Sequence, residues 1–130
     1  MRLSSIAAVL LSLMPLAHAD ENARLSENYS KCLAKAGAVD PAVAECMSTE
    51  FTLQDRRLNA NYKALMAKLG DDRKKQLQEA QRLWLMYVEA NCDFYYAPNG
   101  GTAARMMANE CSVKARAQRA RELEDLAKWE

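Results

Sequence analysis

The amino-acid sequence predicts an all-α fold, a small four-helix bundle of helical hairpins stapled by two disulfides. Three observations carry that prediction. Beyond residue 20 the only β-branched residues are Val39, Val43, Val88, Val113, Thr49, Thr52 and Thr102, with no isoleucine, so strands lack the side chains they favour. Alanine, leucine, lysine, arginine, glutamate and glutamine dominate instead, the set of highest intrinsic helix propensity. Over the same stretch glycine and proline are confined to Gly37–Pro41, Gly70 and Pro98–Gly101, which leaves long helical segments uninterrupted between them.

The first nineteen residues are of another kind. Met1-Arg2 gives a basic start, Ile6 to Leu13 an apolar run, and Ala17-His18-Ala19 a small-x-small cleavage site before Asp20, the pattern of a secretory signal peptide. The run is short for a bilayer span and is interrupted by Ser12 and Pro15, and position 20 is not the cysteine that a lipid anchor needs. The expected organisation is a cleaved signal at 1–19 and a single exported helical domain at 20–130, without a membrane anchor.

Within that domain the first helix is expected from about Ser26 to Ala36, ending at Gly37. The second opens with Asp40 as N-cap and Pro41 in the first helical position, and closes at Gly70. A stripe of Met47, Phe51, Leu58, Tyr62, Leu65 and Leu69 marks its buried face, with Gln54 or Asp55 where another apolar residue is due. At about 1.5 Å per residue so long a helix invites a break near Ser48 to Thr52, where Thr52-Leu53-Gln54-Asp55 resembles a capping box. The third helix is capped by Asp71 or Asp72 and runs to about Tyr95, with Leu77, Ala80, Trp84, Tyr87 and Asn91 on one face and Leu83 beside them. Thr102 is the expected N-cap of the fourth, whose inner face reads Ala104, Met107, Cys111, Ala115, Leu123 and Leu126, interrupted by Gln118 and Arg119.

Four cysteines in a small exported domain argue for two disulfides. A four-thiolate zinc site is the alternative, but such sites bring cysteines in close pairs, and no two here are near neighbours. Cys32 and Cys46 stand equally far from Val39, at the centre of the first turn, so an antiparallel hairpin sets them opposite one another. Cys92 and Cys111 flank the third turn in the same way. The predicted pairs are therefore Cys32–Cys46 and Cys92–Cys111, each worth about 3 kcal/mol through loop closure.

The whole chain carries 18 basic and 17 acidic side chains, and loss of Arg2 with the signal would make the remainder formally neutral. That balance announces no nucleic-acid or anionic-membrane partner. His18, the only histidine, would go with the signal. A domain without histidine has no Ser-His or Cys-His nucleophile, no histidine general base and no histidine metal ligand, and without Cys-x-x-Cys it has no thiol-exchange pair. No cofactor or metal is called for. The basic residues Arg105, Lys114, Arg116, Arg119 and Arg121 alternate with Glu110, Glu122, Glu124 and Asp125, the pattern of a solvated, ion-paired face.

One constellation is richer than a core requires: Asp55-x2-Leu58-Asn59-x2-Tyr62 on the second helix, Ala80-Gln81-x2-Trp84-x2-Tyr87-x4-Cys92 on the third, then Gly100-Gly101-Thr102 and Cys111-x7-Arg119-x3-Leu123. From Cys32 to Leu123 the chain resembles the lysozyme inhibitor LprI-like N-terminal domain family, small exported bacterial helical domains. The resemblance implies a periplasmic binding module that inhibits lysozyme or a related wall-cleaving glycosidase. A structural or accessory envelope protein, acting through contacts with another protein and inhibiting no enzyme, is the alternative. A hydrolase built on Glu50, Asp55, Glu79, Glu89 or Asp93 is a third reading, disfavoured because carboxylates at this density normally serve solvated faces and caps. Asp55, Asn59, Tyr62, Gln81 and Trp84 are expected to form a polar network between the second and third helices that fixes their register, or, together with Tyr87, to contact a partner.

Overall fold

The computed structural model describes residues 25–130; the segment read as a signal peptide lies outside the described residues. Four helices make up the fold: α1 (Glu27–Ala36), α2 (Asp40–Lys68), α3 (Asp71–Phe94) and α4 (Gly101–Trp129), with no strand among the described residues. Their ends follow the glycine and proline punctuation. Ser26 caps α1, its Oγ accepting from the Tyr29 N–H at 3.1 Å.

Three expected caps lie one or two residues inside the helices they were to start. Val39 precedes α2, with Asp40 and Pro41 already helical, where a proline has no N–H bond to forfeit. Gly70 and Gly100 precede α3 and α4, which puts Asp71, Asp72 and Thr102 within the first turns. The Gly100-Gly101 pair explains the last case. A Cβ on Gly100 would lie 2.4 Å from that of Ala104, and Gly101 sits at φ 59°, so glycine alone can make this turn and the helix starts at once. The break expected near Ser48 to Thr52 is absent, and α2 is continuous. The Thr52 hydroxyl donates to the Ser48 carbonyl one turn back at 3.0 Å, and so is satisfied inside the helix instead of capping a new one.

α1 folds back along the first part of α2, and α3 folds back along α4. The disulfides close these two hairpins in the predicted pairs, Cys32–Cys46 with Cα atoms 5.8 Å apart and Cys92–Cys111 at 5.4 Å. The hairpins join through α2 and α4, which run side by side in the same direction. Met47 meets Val113 near their starts, Asn61 donates to the Ala120 carbonyl at 2.8 Å midway, and Lys68 donates to the Ala127 carbonyl near their ends. α2 and α3, although consecutive, share no extended seam, because each packs on α4.

The core forms two clusters along the α2–α4 seam. Tyr29, Cys46, Met47 and Val113 fill the end covered by α1, and Leu58, Leu65, Leu69, Ala120 and Leu123 fill the other, with Tyr62, Leu77 and Trp84 against them. On α2 the predicted stripe faces the core, with Phe51 and Tyr62 half-buried and the rest buried, and the polar interruption is Gln54, which is wholly enclosed. On α3 the buried line runs through Gln81, Val88 and Cys92, so the expected positions Ala80, Leu83 and Tyr87 face water. The helix is turned because its rotation is fixed by the Cys92 disulfide and by the bond from Gln81 to α4. On α4, Val113, Ala117, Arg119 and Ala120 are buried, while Met107 and Leu126 are exposed. A helix covered on two sides does not show one apolar face, and small residues admit two neighbours at once.

Candidate functional site

The polar residues singled out in the sequence are not gathered into one network between α2 and α3. They are divided by α4, whose Arg116 and Arg119 reach in different directions. Toward α2, the Arg116 Nε donates to Asp55 Oδ1 at 3.2 Å while its guanidinium lies 4.1 Å from the centre of the Phe51 ring. Asn59, one turn after Asp55, donates its amide to the same carboxylate at 3.1 Å and to the Asp55 carbonyl at 2.9 Å. Toward α3, the Arg119 Nε donates to Gln81 Oε1 at 2.9 Å, its Nη1 pairs with Glu122 at 2.8 Å, and its guanidinium stands 5.9 Å from the Trp84 ring.

The two arginines correct the reading of α4 as a uniformly solvated face. Lys114–Glu110 at 2.9 Å and Arg121–Asp125 at 2.9 Å are exposed i,i+4 pairs of the expected kind. Arg119 is only 8% exposed and Arg116 is half-buried. Each combines a charge-assisted bond with an aromatic face, the setting in which arginine is tolerated inside a small protein. The signal that could have found them is the break in the α4 stripe: a long basic side chain at a core-facing position needs a partner on the neighbouring helix.

A third polar chain was missed altogether. The buried Glu50 accepts from the Ser26 N–H at 2.8 Å, from the Ser26 hydroxyl and from Gln54 Nε2 at 2.6 Å; the Gln54 Oε1 in turn accepts from Arg57 at 2.8 Å. Ser26 thus caps α1 and ties it to α2, a double duty that local sequence does not reveal. Beside it, burial pushes the Tyr29 phenol above its ordinary value, with the carboxylates of Glu110 and Glu50 acting in the same sense and Lys114 opposing them.

The carboxylates considered for acid–base chemistry occupy different settings. Glu50 is enclosed by its donors, whereas Asp55 is half-exposed and paired with Arg116. Glu79 is exposed, its carboxyl held below the usual range by hydrogen bonds from Arg82 at 2.7 and 2.9 Å. Glu89 and Asp93 stand on the open side of α3. Among the described residues no cluster of His, Cys, Asp or Glu is arranged to hold a metal ion, and no helix is long and apolar enough to cross a membrane.

Of the remaining candidates, Tyr62 packs against the Leu58–Leu123 cluster, and Tyr87 projects into water. Tyr87 stands at the rim of an open groove of about 590 Å³ between α3 and α4, where Trp84, Asn91, Tyr95, Met107 and Glu122 also line the walls. A wider, shallower depression of about 1180 Å³ lies on the other side of α3, among Phe51, Leu85, Met86, Tyr96, Arg105 and Arg116. The surface around α3 is therefore the part of the molecule with the most unburied large apolar side chains.

Comparison with known proteins places this arrangement. A family model described as lysozyme inhibitor LprI matches residues 32–123, from the first disulfide to the last core leucine of α4. No curated protein and no solved structure matches the chain.

Proposed function

The chain belongs to the lysozyme inhibitor LprI family, and from that membership we propose that it is an exported binding protein that inhibits a lysozyme or a related wall-cleaving glycosidase by occupying its surface. The observation that carries the reading is the extent of the family match. It takes in both disulfides, Arg116 and Arg119, and the α2–α4 seam as far as Leu123, so it spans most of the scaffold.

Three features support it. The two disulfides, together with a signal peptide at 1–19, suit an oxidising compartment outside the cytoplasm, which is where wall-cleaving enzymes act. The clamped hairpins pre-organise the surface, which lowers the ordering cost of binding. Asp55, Gln81 and Trp84 engage the arginines of α4 and Tyr62 packs on the core, which leaves partner contact to exposed side chains of α3 and α4.

A lysis assay tests the proposal. Protein exported with its disulfides formed is titrated against c-type lysozyme acting on bacterial cell walls, with dose-dependent protection expected. Absence of protection at micromolar excess sinks the reading for that enzyme class. Release of reducing ends from wall fragments by the protein alone would return the hydrolase reading, and capture of a non-enzymatic envelope protein would favour an accessory role.

A further inference from the structure

The open groove between α3 and α4 has two unlike walls. α3 contributes aromatic rings: Trp84, Tyr87 and Tyr95 line it, with Tyr87 64% and Tyr95 42% exposed. Trp84 is backed by the Leu58–Leu123 cluster and by the Arg119 guanidinium, 5.9 Å from its ring, so the indole is held in place. From Trp84 to Tyr95 this wall runs about 16 Å along the helix axis. α4 contributes polar groups instead, Glu110, Lys114, Gln118 and Glu122, each one turn from the next.

The charges in the groove cancel. Glu110 pairs with Lys114 at 2.9 Å and Glu122 with Arg119 at 2.8 Å, so no net charge is offered to a ligand. The amides are unspent. Asn91, between Tyr87 and Tyr95, donates only to the Cys111 sulfur at 3.6 Å, and Gln118 is exposed and without a side-chain hydrogen bond among the described residues. A matching ligand is therefore uncharged, with flat apolar faces for the rings and hydroxyl or amide groups along its edges.

Polypeptide meets these terms poorly. An extended peptide needs backbone partners, and both walls are helices whose N–H and C=O groups are bonded within the helix. A docking helix needs a continuous apolar floor, which Asn91, Lys114 and Gln118 interrupt. A pyranose ring has the required division, a C–H face that stacks on an aromatic ring and a rim of hydroxyls that exchange hydrogen bonds with amides and carboxylates. We propose that the α3–α4 groove binds a short, neutral, linear oligosaccharide, its rings stacked on Tyr87 and Tyr95 beside Trp84 and its polar rim bonded to Asn91, Gln118 and the carboxylates of α4. Such a site goes beyond enzyme inhibition and stands whether or not the protein meets a lysozyme.

Fluorescence titration of the exported, disulfide-bonded protein tests the proposal. The chain has two tryptophans, and Trp129 is 89% exposed and outside the groove, so Trp129→Phe leaves Trp84 as the sole reporter. The probes are the linear tetramer of N-acetylglucosamine and the matching glucose tetramer, with saturable change expected for at least one of them below about 5 mM. In that background Tyr87→Ala is expected to weaken binding about fivefold and Gln118→Ala several-fold, with helix content unchanged because both side chains are exposed. Leu83→Ala, outside the groove, is expected to leave it unaltered. No saturable change with either tetramer overturns the proposal, as does saturation indifferent to both Tyr87→Ala and Gln118→Ala. Saturation by a tetra-alanine peptide with blocked ends, but by neither sugar, overturns it in favour of a peptide site. No enzyme is present in this titration, so its failure and a failure of lysozyme inhibition are separate results.

Discussion

The α2–α4 and α3–α4 seams are built from the same kinds of residue and held in different ways. Along α2–α4 the chain encloses Met47, Leu58, Leu65, Val113, Ala120 and Leu123 in two apolar clusters. Along α3–α4 the attachment is by points: the Cys92–Cys111 bond, the Arg119–Gln81 bond and the single buried Val88, with grooves on both sides. The difference separates two tasks. Apolar burial in the first seam supplies the stability, while the lightly attached α3 keeps its leucines, methionine and aromatics for the surface. A segment with few buried apolar contacts opens at lower free energy than the core, so α3 is the element expected to loosen first.

That contrast is broken most directly at Leu123, which has no exposed surface. Leu123→Ala is expected to cost about 2–5 kcal/mol in urea denaturation, as large-to-small changes in enclosed cores do. Leu83→Ala on the outer face of α3 should stay within about 0.5 kcal/mol. Equal losses at the two positions would mean that α3 is packed as tightly as α2.

Next in size is the α3–α4 disulfide. Replacing Cys92 and Cys111 together by serine is expected to cost about 3 kcal/mol. Hydrogen exchange should rise along α3 well before α2 and the second half of α4. Uniform acceleration over the whole chain would show instead that the two seams open as one unit.

The smallest of the three effects sharpens the role of the polar anchor. Gln81→Ala leaves the Arg119 guanidinium without its α3 acceptor in a buried site, a loss of about 1–3 kcal/mol. Gln81→Ala combined with Arg119→Met should recover part of it, because both polar partners are then gone. Unchanged stability with weakened lysozyme inhibition would move Gln81 from a structural role to partner contact.

How far the sequence could be read depended on the range of the interaction involved. Gly37–Pro41, Gly70 and Pro98–Gly101 divide the chain correctly because glycine and proline act on their own backbone and immediate neighbours. The cysteines are paired correctly because Cys32/Cys46 and Cys92/Cys111 flank short turns, where only an antiparallel hairpin fits. Periodicity served α2, which has one main buried face. It misplaced Leu83 and Tyr87, because rotating α3 by a fraction of a turn exchanges one apolar line for another and local sequence carries no preference between them. The polar candidates were recognised as unusual, but not to whom they bond: Asp55 and Gln81 find arginines on α4, not each other.

The sequence by itself determined the helical class, the four segments and the two staples, since propensity, backbone restriction and loop closure are local physics. Only the tertiary structure decided that α2 and α4 run in parallel at the centre. It alone placed Arg116 and Arg119 between helices, set the Glu50–Ser26 tie, and turned one apolar side of α3 outward. These depend on contacts between residues distant in the chain, from 24 positions for Ser26 with Glu50 to 61 for Asp55 with Arg116. At that separation, a buried charge or amide is stable wherever packing happens to supply its partner.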